Sequence, residues 1–181
     1  MKQHRKWLFF AIIILIHLLF VSTALAGKKG PTVSIHRDSY GVPHVYSKTV
    51  YGLFYGYGYA IATDRLFQME MSKRSVEGTV AEVLGPDYAE FDKGVRSNYR
   101  PDSIMDQYNA LKKKHKDIFD GYAAGMNARI DEVLQDPGIM PKQFIDYDFQ
   151  PTKWTAFDVI MIFVGTMCNR YSDFNAELAK N

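Results

Sequence analysis

Three residues near the end of the chain have types and a spacing that suit binding of a small molecule with one apolar and one charged part. Met167, Arg170 and Tyr171 are three and four positions apart, so they share a helix face if a helix continues that far. A thioether and an aromatic ring can pack on an apolar group, and a guanidinium offers a fork of donors to a carboxylate. The alternative is that Met167 fills a core and Arg170 pairs with an acid such as Asp173. Spacing alone favours that structural alternative.

No catalytic constellation is recognisable elsewhere in the chain. The sequence has no G-x-S-x-G elbow, P-loop, G-x-G-x-x-G fingerprint or H-E-x-x-H pair, and its histidines are scattered. A lone histidine is usually a hydrogen-bonded structural residue, and His44 beside Pro43 fits that role. The only cysteine, Cys168, has no partner for a disulfide or a metal site, so we predict a small buried apolar residue. We therefore predict no catalytic residue in this chain.

The first 26 residues have the features of an export signal. Three basic residues precede an apolar run over residues 7–21, and Ala24 and Ala26 fit a small-x-small cleavage site. An uncleaved membrane anchor is the alternative, because the run is only a little short of the ~20 residues that span a bilayer. We predict cleavage after Ala26, no stable membrane anchor, and export to the medium or to a periplasm. Cleavage removes three of the 22 basic residues and none of the 20 acidic ones, so the net charge changes from +2 to −1 and no nucleic-acid partner is indicated.

Residues 27–181 are predicted to form one mostly helical α+β domain. Alternation around a Gly41 turn predicts a β-hairpin from residues 32–37 and 42–46. Helical periodicity follows, and we expect Gly56 and Gly58 to divide residues 48–74 into two helices. A short segment at 79–84 follows, bounded by Gly78 and the Gly85-Pro86 pair, and a third helix is predicted at 101–134 with a break near Asp117. A last helix is predicted at 159–168 after a capping-box-like start formed by Thr155 and Asp158.

Three stretches of the sequence together resemble one family of amide hydrolases. They are RDSYGVPHV at 37–45, GYGYA and DRLFQME between 56 and 70, and GYAAGMNA at 121–128. These stretches resemble the penicillin acylase family and cover most of the chain beyond the signal. They do not select the substrate, because cephalosporin and acyl-homoserine-lactone acylases look alike there.

A fourth stretch, MIFVGTMCNRYSD at 161–173, resembles the pocket helix of the penicillin G acylases within that family. The resemblance implies that Met167 and Tyr171 line the acyl pocket and that Arg170 lies at its mouth, near the leaving group. Tyr171 stands where phenylalanine is usual and Cys168 where alanine is usual; the first change can alter selectivity. The resemblance also implies that Glu177 contributes one carboxylate to a calcium site completed by the β-subunit. An ordinary solvated glutamate is the alternative.

The resemblance implies a complete enzyme that is larger than this chain. Members are N-terminal-nucleophile hydrolases of αββα architecture, made as a zymogen that cuts itself into an α/β heterodimer. The nucleophilic serine begins the β-subunit, and the expected reaction splits the side-chain amide of penicillin G into phenylacetate and 6-aminopenicillanic acid. This chain is then an incomplete α-subunit region, inactive alone. Alternatives are an acylase of cephalosporins or acyl-homoserine lactones, or a non-enzymatic exported helical binding protein.

Overall fold

The structure, a computed structural model, describes residues 30–97 and 100–170, apart from the side chains of residues 168–170. The chain divides into two compact units, Met1–Pro31 and Thr32–Asn181. Because only residues 30 and 31 of the first unit are described, the architecture below is that of the second. The predicted signal, Tyr171 and Glu177 lie outside the described residues.

An antiparallel β-hairpin opens the second unit. Its strands are β1 (Val33–Arg37) and β2 (Pro43–Ser47), with His36 opposite His44. The turn between them has Gly41 at φ 79°, a conformation that favours glycine. The predicted hairpin is confirmed, with β2 beginning one residue later than expected.

The longest helix, α1 (Val50–Glu77), begins at the Thr49 cap and ends at Gly78, which is left-handed. The expectation of two helical segments is confirmed, because α1 contains a kink, but the expected division at Gly56 and Gly58 is wrong, because the helix continues through both glycines. Arg65, with φ −143° and ψ 31°, is instead the position where the helix kinks. A Cβ at Gly58 would overlap the backbone of Tyr122, so this glycine serves close helix packing and does not end the helix.

Three short helices and one long helix follow α1. They are α2 (Ala81–Leu84), α3 (Ala89–Ser97), α4 (Pro101–Ala110) and α5 (Lys113–Gln135). The break expected near Asp117 lies at residues 111–112, where the backbone is extended. Asp117 is inside α5, and its carboxylate pairs with Lys113 one turn earlier. The basic run at the start of α5 is therefore a largely solvated face, as its composition indicates.

The last part of the described chain contains α6 (Lys142–Asp146) and α7 (Ala156–Arg170). The predicted capping box is confirmed: the backbone N–H and the hydroxyl of Thr155 both donate to the carboxylate of Asp158. The core lies where α1, α5 and the segment before α7 meet. Its fully buried members include Leu66, Met126, Ile130, Phe144 and Trp154. The predicted mostly helical α+β arrangement is therefore confirmed for the described residues.

Candidate functional site on helix α7

Helix α7 has one face packed into the unit and another that the described residues leave open. On the packed face, Met161 is 2% exposed, and a Cβ at Gly165 would overlap the Val76 side chain. On the open face, Phe163 is 64% exposed and Met167 is 39% exposed. Because these two residues are four apart, they form an apolar strip one turn long, which we call the outer strip.

The structure describes only some of the predicted binding residues. Met167 lies on the outer strip, so its role as core filler is excluded within the described residues. Arg170 is the last residue of α7, so the helix continues far enough to place both residues on it. The side chains of Arg170 and Cys168 are not described, and Tyr171 and Glu177 lie outside the described residues. The shared pocket and the metal role therefore remain predictions.

A buried ion cluster, formed by Glu70, Lys73 and Arg74 with Thr152, holds the segment before α7 against α1. Glu70 is 0% exposed, and its carboxylate lies 3.2 Å from Lys73 Nζ and 3.0 Å from Arg74 Nε. It also accepts hydrogen bonds from the Thr152 backbone at 3.3 Å and hydroxyl at 3.0 Å. Buried charge is tolerated when it is paired in this way. Sequence reasoning missed this cluster; the E-x-x-K-R spacing on α1 was the available signal.

Two of the sequence stretches that carry the family resemblance are joined by an ion pair. Arg37, at the end of β1, donates to both carboxylate oxygens of Asp64 on α1, at 2.7 and 3.1 Å. Planar, bidentate pairs of this kind fix geometry as well as charge. The hairpin is thereby tied to α1 next to its kink at Arg65.

The third stretch places the segment that enters α7. A Cβ at Gly125 would overlap the Tyr55 carbonyl, so α5 lies directly against α1 there. The amide of Asn127 donates to the Trp154 carbonyl and accepts from the Trp154 N–H, both at 2.7 Å. These contacts fix the backbone of the residue directly before the Thr155 cap. The motif residues thus build the support for α7.

A pair of carboxyl groups links the end of α1 to the start of α7. Burial raises the pKa of Glu77 to about 8, and a hydrogen bond with Asp158 and the charge of Asp158 act in the same direction. Lys73 opposes this shift, and Glu70 adds to it. Glu77 is therefore protonated at neutral pH, which lets the two carboxyl groups share a hydrogen bond.

An aromatic groove of about 480 Å³ runs between α1, α5 and α7. Its lining is mostly apolar and includes Phe54, Tyr57, Phe119, Tyr122, Trp154 and Phe163. Burial raises the pKa of Tyr122 above its usual range, so that hydroxyl stays neutral. The groove supplies apolar contact and no general acid or base.

Two of the three described histidines, His36 and His44, form structural contacts on the hairpin, and the third, His115, is exposed on α5. His44 Nε2 lies 3.1 Å from an Asp38 carboxylate oxygen, and this hydrogen bond lowers the pKa of Asp38. His36 Nε2 lies 2.6 Å from the Ser34 hydroxyl on the exposed face of β1. Among residues 30–97 and 100–170, no three His, Cys, Asp or Glu side chains group closely enough to hold a metal ion. None of the described helices combines the length and apolar character needed to span a bilayer.

The chain is similar to proteins of one family over almost all of its second unit. The sequence profile described as penicillin amidase matches residues 32–180. Penicillin G acylase of Escherichia coli is 54% identical over 156 residues, which are 86% of this chain and 18% of that protein. Penicillin acylase 2 proenzyme of Pseudomonas sp. (strain SE83) is 30% identical over 141 residues, which are 78% of this chain and 18% of that protein. The chain therefore spans about a fifth of the length of these two relatives.

The fold agrees with that similarity. Thermostable penicillin G acylase from Alcaligenes faecalis, in a tetragonal crystal form, matches with a TM-score of 0.77 at 53% sequence identity. The match covers 80% of this chain and 76% of the matched one. This chain belongs to the penicillin amidase family.

Proposed function

We propose that the chain is the α-subunit region of a penicillin G acylase, which hydrolyses the side-chain amide of penicillin G to phenylacetate and 6-aminopenicillanic acid. The structural observation that carries this proposal is the outer strip of α7, where Met167 is available for contact with a substrate. The 54% identity to penicillin G acylase of Escherichia coli supports the choice of reaction. The nucleophile is the serine that begins the β-subunit, and the chain contributes one wall of the acyl pocket.

Each proposed pocket residue has a distinct physical task. Met167 and the ring of Tyr171 pack on the phenyl group, because a thioether and an aromatic face both make favourable contacts with an aromatic ring. Arg170 donates hydrogen bonds to the carboxylate of the penicillin nucleus. That nucleus is the leaving group of the reaction. Tyr171 carries a hydroxyl that needs a partner when buried, so it favours substrates that can hydrogen-bond to it.

The partner we propose is the β-subunit from the same precursor. Large apolar side chains are exposed on the hairpin and on the adjoining part of α1, with Tyr40 at 91% and Tyr46 at 59% exposed. Leu53 and Tyr57 are also exposed on α1. Exposed large apolar side chains favour an interface, and the chain's share of its relatives' length leaves most of the enzyme to provide it.

Export and calcium binding complete the proposal. Cleavage after Ala26 releases the protein into the medium or a periplasm, with no membrane anchor. Glu177 supplies one carboxylate oxygen ligand to a calcium ion, and the β-subunit supplies the others, because calcium takes six to eight oxygen ligands.

The test uses the full-length precursor and compares Arg170→Ala with Lys114→Ala, which removes an exposed cation from α5. In Arg170→Ala, KM for penicillin G should rise roughly tenfold to a hundredfold, since a hydrogen bond to a charged group is lost. A phenylacetyl amide with an uncharged leaving group should be hydrolysed as before. Lys114→Ala should match the wild type on both substrates.

Two results would contradict the proposal. One is a wild-type enzyme that leaves phenylacetyl amides intact and hydrolyses acyl-homoserine lactones or cephalosporin side chains. The other is a stable, monomeric product of a gene that encodes no β-subunit, as an exported binding protein would give.

A further inference from the structure

Phe163 is the most exposed large apolar side chain among the described side chains of α7. Its exposed fraction is 64%, against 39% for Met167 and 2% for Met161 on the packed face. It lies four residues before Met167, so both side chains lie on the same helix face. The outer strip is therefore continuous from Met167 to Phe163.

The order of groups along α7 gives the strip a direction. At 1.5 Å per residue, Phe163 lies about 6 Å along the axis before Met167, and Arg170 begins about 4.5 Å after it. Under the proposed function, the carboxylate of the substrate lies at Arg170, toward the end of the helix. A substrate with its carboxylate at Arg170 and its phenyl group at Met167 would direct the far end of its acyl group toward Phe163.

Apolar side chains flank Phe163 on one side and leave the other side open. Phe163 also lines the aromatic groove, together with Phe119 and Tyr57, so its ring has apolar neighbours on the side of α1 and α5. On the same helix, Thr166 donates to the Ile162 carbonyl at 2.7 Å, so its hydroxyl is already satisfied. The open side of the ring is therefore available for contact with an apolar group of a ligand.

We propose that Phe163 contacts the far end of the acyl group and sets the length of acyl group that the enzyme accepts. This inference rests on the proposed function and adds a specificity-determining residue to it. A phenylacetyl group ends near Met167 and barely reaches Phe163. A longer arylalkanoyl group reaches that ring and is excluded by it.

The experiment uses the processed full-length enzyme and two amides of the same amine, one phenylacetyl and one phenylbutyryl. The measured quantity is the ratio of kcat/KM for the longer acyl group to kcat/KM for the shorter one. Phe163→Ala should raise this ratio about tenfold or more, because single methylene groups in a pocket change selectivity by ~10- to 200-fold. Phe163→Trp should lower it. Phe91→Ala is the matched control, since Phe91 is 48% exposed on α3, and it should leave the ratio unchanged.

The outcomes separate this inference from the proposed function. If the wild type hydrolyses the phenylacetyl amide but the ratio is the same in all variants, Phe163 only packs against the rest of the enzyme and the inference is wrong. If the wild type hydrolyses neither amide, the proposed function fails and the inference fails with it. Phe163→Trp keeps the test decisive if Phe163→Ala does not yield processed enzyme.

Discussion

Two regions of the molecule differ in how closely they are packed: the contact between α1 and α5, and the outer strip of α7. At the α1–α5 contact, glycines at positions 58, 121 and 125 let backbones approach until no further atom fits. On the outer strip, two large apolar side chains remain partly exposed, Phe163 at 64% and Met167 at 39%. The resemblance to the family rests mainly on stretches that build the first region. Motif residues therefore identify the scaffold, whereas the proposed substrate contacts lie on the part that the scaffold leaves exposed.

The largest expected effect comes from adding a side chain at the α1–α5 contact. In Gly125→Val, the new atoms would overlap the Tyr55 carbonyl and the Tyr59 backbone nitrogen. Both belong to helix backbone, which cannot rotate away. Overpacking of this kind costs on the order of 3 kcal/mol or more. We expect little or no processed enzyme, measured as soluble yield. Gly94→Ala is the control, because a Cβ there meets nothing within 4 Å; normal yield from Gly125→Val would show that the helices can separate at no cost.

The next effect comes from the buried ion cluster. Glu70→Ala leaves Lys73 and Arg74 buried without their shared carboxylate, and loss of one partner of a buried pair costs about 3 to 5 kcal/mol. Glu82 also pairs with Arg74, but the Glu82 side chain is 61% exposed. Glu82→Ala should therefore cost less than ~1 kcal/mol. Urea unfolding of both variants measures the difference. Equal losses would mean that burial of Glu70 does not govern the strength of the cluster.

A smaller, pH-dependent effect is expected at the junction of α1 and α7. Glu77 has a pKa of about 8 in the folded protein against 4.5 when exposed, so the folded state holds a proton that the unfolded state releases. The free energy of unfolding should therefore fall as the pH rises from about 4.5 to about 8, and change no further through Glu77 above that range. Glu77→Gln cannot ionise, so its Tm relative to wild type should increase across this window. A Tm difference between Glu77→Gln and wild type that stays constant across this window would exclude the raised pKa of Glu77.

Local patterns predicted the elements whose signals are short-range. The Gly41 turn predicted the hairpin, and Thr155 with Asp158 predicted the start of α7, because both depend on hydrogen bonds within a few residues. The prediction that Gly56 and Gly58 interrupt a helix was wrong. A glycine that ends a helix and one that admits a neighbouring backbone look the same in sequence, and only the partner, Tyr122 in the case of Gly58, distinguishes them.

The support for the site was largely hidden from sequence reasoning. The ion cluster joins Glu70 to Thr152, and Asn127 joins the backbone of Trp154, so both depend on contacts between residues far apart in the chain. Periodicity counts Glu70 as a polar position and therefore places it at the surface, although it is fully buried. Met167 was singled out by the family resemblance of its stretch, because its spacing to Arg170 and Tyr171 alone favoured the structural alternative. Sequence alone could not decide between core and surface for it.

Two methionines on opposite faces of α7 allow the most direct test of the central claim, that the outer strip selects the substrate while the packed face holds the helix. In the processed full-length enzyme, Met161→Ala and Met167→Ala should be compared by Tm and by KM for a phenylacetyl amide. Met161→Ala should lose about 2 to 5 kcal/mol of stability with KM unchanged, because it empties a buried site. Met167→Ala should raise KM severalfold with a Tm close to wild type. A large loss of Tm in Met167→Ala with an unchanged KM would contradict the claim and assign Met167 to the interface with the β-subunit.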